Sequence, residues 1–189
     1  MTAENQLRKH IEEVTELTDE EFVFVLSHFS TEKHNKNDFL IRSGDKVTYC
    51  FYVVYGLLKL TYEDGDGKQH IVSFAMENWW ESDFSAFFTQ TKSQMSLQCM
   101  EETHVLSISL NNYNKLAANC PKMEYFFLKK SNAGHIASQR RILSFLTSSA
   151  KERYEQLLEQ YPILFQRVPK ILLASYLGVS RETLSRLSY

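Results

Sequence analysis

Pro169-Lys-Ile-Leu-Leu-Ala-Ser-Tyr-Leu-Gly-Val-Ser-Arg-Glu-Thr-Leu-Ser-Arg-Leu-Ser-Tyr189 is the stretch from which the fold can be read. Ile171, Leu172, Ala174 and Leu177 recur at helical spacing and form one apolar face. Ala174 is small where a second helix must cross. Gly178 stands where the chain must turn sharply, Val179 plugs the turn, and Ser180 can cap the next helix. Leu184 and Leu187 then face inward. Helix, glycine turn, helix is the grammar of a helix-turn-helix. Arg181, Glu182, Thr183, Ser185 and Arg186 point away from Leu184 and Leu187. Arg can donate twice to guanine, Glu can accept from cytosine, and Thr can touch a thymine methyl. Ser180 and Lys170 complete the candidate DNA-binding set. An i,i+4 surface ion pair would explain Glu182 and Arg186, but not the Ala/Gly/Val/Ser punctuation before them.

The charge distribution agrees with a nucleic-acid end. The 189-residue chain has a net charge of only −2. Residues 140–189 nevertheless carry a balance of +4, and the preceding 139 residues one of −6. One end can meet phosphate while the rest repels it. With 43% hydrophobic and 23% charged residues, 6 Gly and 3 Pro, the chain reads as globular rather than disordered. The longest apolar stretch, Cys50 to Leu60, is broken by Gly56 and Lys59 and is too short to span a bilayer. No signal peptide is visible in Met1 to His10. Three scattered cysteines (Cys50, Cys99, Cys120) make neither a disulfide framework nor a metal motif, and a cytoplasmic protein without membrane attachment is expected.

Upstream, the first 35 residues read as helical. Leu7, Ile11, Val14 and Leu17 keep helical spacing, and Thr18 with Glu21 has the form of a capping box. From Asn37 to about Leu110 short β-rich runs alternate with turn signals: Phe39 to Ile41, Tyr49 to Val54, Leu57 to Tyr62, His70 to Ala75, Met95 to Met100 and His104 to Ile108. The Asp-Gly pairs at Asp64–Gly67 mark a hairpin. Many short strands at close spacing predict a barrel or jelly roll. Asn111 to Ala118 reads as a helix, and Pro121 opens a long one to about Leu146. Phe126, Ala133, Ile136, Ala137, Arg140 and Leu143 recur along it roughly every 3.5 residues and predict a dimer seam. A further helix runs from Ser149 to Gln160. The expected class is α+β: an N-terminal jelly-roll sensor barrel (1–118), a dimerisation helix (119–147) and an all-α helix-turn-helix domain (148–189).

Barrel, long helix and C-terminal Gly-Val-Ser-Arg-Glu-Thr-Leu-Ser-Arg together resemble the CRP/FNR family of bacterial transcription regulators. Ser43-Gly-Asp, Tyr52-Val-Val-Tyr-Gly56 and Glu63-Asp-Gly-Asp-Gly-Lys68 look like that family's early strands and hairpin. Ala150-Lys-Glu-Arg-Tyr-Glu-Gln-Leu-Leu through Tyr161-Pro162 and Val168-Pro169 looks like its Bacteroidota-type subgroup. The resemblance implies a homodimer on double-stranded DNA, with RNA polymerase as a partner and Arg181, Glu182 and Arg186 at base-contacting positions. It also implies a cyclic-nucleotide-binding-like barrel. There the family holds phosphate with a Gly-Glu turn and an Arg-Ser pair. Here the turn reads Met76-Glu-Asn-Trp-Trp-Glu-Ser-Asp-Phe84, and Gln94 or Met95 stands where the Arg would be. Cyclic AMP is therefore expected to bind poorly. Glu77, Trp79, Trp80, Glu81, Gln94 and Ser96 are the candidate lining of a pocket for a different small-molecule effector, if one exists. The competing reading has Trp79, Trp80, Phe84, Phe87 and Phe88 filling the barrel and its flank.

No cysteine precedes Cys50, which removes the iron–sulfur ligands of the oxygen-sensing branch. Six scattered histidines form no ligand pair, so no metal or cofactor is expected. Gly65-Asp66-Gly67 is a hairpin turn rather than a phosphate loop, and neither H-E-x-x-H nor G-x-S-x-G occurs, so no catalytic residue is assigned and no enzyme is expected. The chain stops at Tyr189, about two turns into the second helix, without the basic tail that relatives carry. That predicts few phosphate contacts. The alternative function is a ligand-binding or protein-interaction module with a vestigial DNA-binding end.

Overall fold

The computed structural model describes residues 1–187. Ser188 and Tyr189, on which the expectation of few phosphate contacts falls, lie outside the described residues. The chain divides into two compact units, Met1–Lys130 and the residues from Ser131 onward. The division falls inside the helix Pro121–Thr147.

The first unit opens with α1 (Ala3–Glu12), which buries Leu7 and Ile11. Next comes α2 (Asp19–Leu26). Thr18 and Glu21 close the expected capping box: the Glu21 N–H donates to Thr18 Oγ1 at 3.2 Å and the Thr18 N–H to Glu21 Oε2 at 2.7 Å. Eight strands follow: β1 (Ser30–His34), β2 (Phe39–Ile41), β3 (Tyr49–Tyr55), β4 (Leu58–Glu63), β5 (Gln69–Ala75), β6 (Trp80–Glu81), β7 (Met95–Cys99) and β8 (Thr103–Ser109). They form two four-stranded sheets, ordered β1-β8-β3-β6 and β2-β7-β4-β5. That order is a jelly roll, in which each strand pairs with one from the other end of the sequence.

The β4–β5 hairpin closes where the Asp-Gly pairs predict it, with Glu63 opposite Gln69. Asp64 Oδ1 accepts the N–H groups of Asp66 and Lys68, and Gly67 supplies the positive φ of +76°. Ser30–His34 is a strand rather than helix. Its residues are mostly polar and exposed, and its partner β8 supplies the pairing. The two-residue β6 and the helix α3 (Phe84–Thr89) carry no periodic signal long enough to read.

The core of this unit is built from Tyr52, Phe87, Leu97, Leu106, Ile108, Leu116 and Met123. Helix α4 (Leu110–Asn119) is capped by Ser109, and α5 (Pro121–Thr147) begins at its proline as expected. The start of α5 is part of the core: Phe126 is fully buried, and Phe127 stacks on Tyr113 with ring centroids 4.0 Å apart.

The second unit contains the rest of α5, then α6 (Ala150–Gln160), α7 (Pro162–Arg167), α8 (Lys170–Leu177) and α9 (Arg181–Leu187). Ser149 and Glu152 form a second capping box at the start of α6. The core here is Leu157, Leu164, Val168, Leu173, Ala174, Leu177 and Leu184. Ile171 was expected on the apolar face of α8 but is 60% exposed; Leu173 takes the buried position, because α8 turns Leu173, Ala174 and Leu177 inward.

Two glycines with positive φ separate strain from crowding. Gly44 (φ +91°) has open space around it. At Gly56 (φ +108°) a Cβ would stand 2.5 Å from Thr103 Oγ1 and 2.7 Å from the Glu102 carbonyl oxygen. Gly44→Ala is expected to cost about 1 kcal/mol and Gly56→Ala about 3 kcal/mol or more, since backbone must move as well. Urea unfolding of the two variants checks this, and equal costs would contradict it.

Candidate functional site

The C-terminal motif folds as its residues require. Gly178 ends α8 in the left-handed region at φ +69°, and the Val179 N–H returns to the Ala174 carbonyl at 3.0 Å. Ser180 Oγ accepts the Thr183 N–H at 3.1 Å and starts α9. Leu184 is buried and Leu187 half-buried. Arg181, Glu182 and Arg186 are exposed, with Thr183 and Ser185 half-buried at their margins. Arg181, Glu182, Ser185 and Arg186 line one open hollow. Arg186 donates to Thr183 Oγ1 at 3.4 Å, so the contact seen is not the i,i+4 ion pair. Lys170 is exposed at the first position of α8. α9 thus presents a row of donors and acceptors whose side chains are not consumed by packing.

The barrel unit carries a half-open cavity of about 440 Å³ at its surface, lined by Tyr62, His70, Val72, Asp83, Ser85, Ala86, Thr91, Lys92, Gln94 and Met95. Of the six residues expected to line a pocket, only Gln94 does. Glu77 accepts the Gly56 N–H at 2.9 Å. Trp79 packs against the core. Trp80 lies among Phe29, Tyr52, Phe126 and Phe127, and its indole N–H donates to His10 at 3.3 Å. Glu81 is buried, and Ser96 Oγ accepts the Ser43 N–H at 3.0 Å. Among the five aromatics of the competing reading, Phe87 is core, the tryptophans are half-buried, and Phe84 and Phe88 remain exposed. The lining residues that sequence reasoning missed lie on the hairpin (Tyr62, His70) and around α3 (Asp83, Ser85, Lys92). The strand alternation of the hairpin was the one available signal for Tyr62 and His70.

Two buried carboxylates set the chemistry beside this cavity. Asp83 Oδ1 accepts the Ala86 N–H at 3.0 Å and caps α3; its Oδ2 accepts the Ser93 hydroxyl at 2.7 Å. Glu81 accepts the Ser73 hydroxyl at 2.6 Å and the Ser82 N–H at 3.0 Å. Burial pushes the Glu81 carboxyl up to about 7, against the pull of those hydrogen bonds and with help from the Asp83 charge. The arrangement does not fit a cyclic phosphate. The amide that opens α3 is already bonded to an internal carboxylate. The basic side chains in the lining are Lys92 and His70, and the His70 ring lies 2.6 Å from Asp64 Oδ2. Neither offers the bidentate fork of a guanidinium.

Along α5 the expected seam does not share one free face. Phe126 is buried in the first unit, and Ala133, Ala137 and Arg140 follow on the same side of the helix. The exposed apolar stripe lies largely opposite: Tyr125, Leu128, Ile142, Leu143 and Leu146, flanked by Ile136. All of residues 131–140 are exposed.

The three buried cysteines are free thiols, and no cluster of metal-ligating side chains occurs among the described residues. No described helix is long and apolar enough to cross a membrane.

Residues 31–120 match the cyclic nucleotide-binding domain family. Comparison of the sequence with curated proteins finds no match. Solved structures share the fold. FixK2 from Bradyrhizobium japonicum superposes with a TM-score of 0.72 at 15% identity, over 85% of this chain and 82% of its own. The c-di-GMP responsive global regulator CLP of Xanthomonas campestris gives 0.72 at 16%, over 90% and 89%. The Thermus thermophilus catabolite activator protein gives 0.58 at 19%, over 91% and 82%. The CRP/FNR-like α+β fold read from the sequence is the fold of this chain.

The Glu81 carboxyl binds its proton more tightly folded than its ordinary value of 4.5 allows unfolded. Its share of stability is therefore complete below pH 4.5 and is lost as pH rises through about 7. Glu81→Gln is expected to gain on the wild type by about 3 kcal/mol between pH 4 and pH 8. Urea unfolding across that range measures the difference, and parallel curves would remove Glu81 as the cause.

Proposed function

We propose that this chain, a cyclic nucleotide-binding-type barrel followed by a helix-turn-helix on the CRP/FNR fold, is a homodimeric, sequence-specific DNA-binding transcription regulator that does not use cyclic AMP. The exposed row Arg181, Glu182 and Arg186, on a helix fixed by Gly178 and Ser180, carries the DNA reading. Thr183 and Ser185 extend that row, and Lys170 supplies a phosphate contact.

The dimer follows from α5. A helix segment exposed on every side has no packing to hold it, and short helices are marginal alone in water. Residues 131–140 are such a segment, and the stripe Leu128, Ile142, Leu143 and Leu146 is the apolar surface a second copy would cover. Ile136 and Leu143 keep the seam role the sequence assigns them. Two copies place their recognition helices about one DNA turn, roughly 34 Å, apart. RNA polymerase is the partner expected of an activator with this fold. The barrel cavity, lined in part by Asp83, takes an uncharged or cationic small molecule or none.

Selection from random duplex DNA at low salt, with and without cyclic AMP, tests the function. A palindrome enriched without nucleotide is the expected result; enrichment only with nucleotide overturns the reading of the cavity, and none in either arm favours the ligand-binding or interaction module. Arg186→Ala is expected to cost about 1–3 kcal/mol of specific binding and to relax choice at one base pair. Equal binding of specific and scrambled sites by variant and wild type would remove α9 as the reader. In light scattering, Ile142→Asp is expected to halve the mass and Ala137→Asp to leave it unchanged, because only Ile142 lies in the apolar stripe.

A further inference from the structure

The turn between α8 and α9 is gripped from outside. α8 ends in carbonyl groups that no helical N–H can reach, at the negative end of its dipole. Two guanidinium groups take them. Arg141, on α5, donates to the Tyr176 carbonyl at 3.2 Å and lies 4.0 Å from the centre of the Tyr176 ring. Arg153, on α6, donates to the Leu177 carbonyl at 3.1 Å and to the Ser148 carbonyl at 2.7 Å. Phe145 sits between them, its ring 5.3 Å from Arg141 and 5.1 Å from Arg153. The same ring lies under Gly178, where a Cβ would approach it to 2.8 Å. Both arginines are half-buried, unlike Arg181 and Arg186. Fixed planar cations stacked on rings and bonded to carbonyls are positioned groups, not free phosphate binders.

We propose that Arg141 and Arg153 are positioning residues of the recognition helix: they clamp the C-terminal end of α8 to α5 and α6 around Phe145, and so set how α9 is presented. The effect on DNA rests on the DNA-binding reading above; the clamp itself does not. It gives the long helix a direct hold on the reading head, so a change in the end of α5 reaches the α8–α9 turn through Arg141 and Phe145, while Arg153 ties the same turn to α6.

The test uses the full chain and the variants Arg141→Gln and Arg141→Lys, with two readouts. In hydrogen exchange, the amides of Gly178, Val179 and Leu184, which donate to Ser175, Ala174 and Ser180, are expected to exchange about tenfold faster in both variants, the equivalent of one hydrogen bond to a charged group. Amides of the barrel are expected to be unchanged. In DNA binding, both variants are expected to lose about tenfold for the selected site, keep their affinity for scrambled duplex, and keep the wild-type slope of affinity against salt. Unchanged exchange at the turn overturns the clamp. A salt slope reduced by about one in Arg141→Gln but not in Arg141→Lys also overturns it, by making Arg141 a phosphate contact. If Arg141→Gln loosens the whole second unit, Arg153→Lys takes the same two readouts and decides in its place. A wild type without sequence preference ends the DNA-binding reading, while the exchange result still decides the clamp.

Discussion

The C-terminal unit of this protein depends on the absence of a side chain at Gly178. Two demands meet there. The chain needs φ +69° to leave α8 and start α9, a conformation that costs any other common residue free energy. The ring of Phe145 also occupies the space a Cβ would need. A residue tolerated by the turn alone would still collide with α5. The helix-turn-helix is therefore not an independent module joined by a tether. Its turn is shaped by the end of the long helix, with Arg141 and Arg153 closing the contact on either side. Ser180 then fixes the first turn of α9, and burial of Leu184 decides which face of the helix stays free.

The barrel solves a different problem with similar means. α3 begins on Asp83, whose carboxylate is held by an amide and a hydroxyl inside the protein. Glu81, two residues earlier, is buried with a carboxyl close to neutrality. Such charges cost free energy to bury and are retained here within a network of serines: Ser73, Ser82 and Ser93. The network ties β6 and the start of α3 to β5 and to Ser93. Asp83 also lines the hollow beside it.

Much of the architecture was legible before any coordinates. The two capping boxes, the Asp-Gly hairpin, the proline that opens α5 and the glycine that ends α8 are signals carried within four or five residues. The Thr18–Glu21 box, the hairpin, the proline and the glycine were met where they were read; the Ser149–Glu152 box was found only in the structure. The pocket was less legible. Glu77, Trp79, Trp80 and Glu81 are adjacent in sequence to the cavity-forming segment, yet they turn into the core or bind other backbone. β6 is only two residues long, so no alternation showed which way Trp80 and Glu81 point. On α5, Phe126 is buried although nothing near it in the sequence announces that it completes the core of the barrel unit.

What the sequence determined by itself was the set of local decisions: where helices begin and end, where the hairpin turns, and that a helix-turn-helix closes the chain. These follow from backbone preferences and short-range hydrogen bonds, which act over a few residues. Tertiary structure alone decided that polar Ser30–His34 would be a strand, since β8 supplies its partners from about 70 positions away. It also decided that Glu81 would be buried, and which side of α5 would be left uncovered. Those outcomes depend on what distant segments bring to the same place, and burial is a property of that place rather than of the residue.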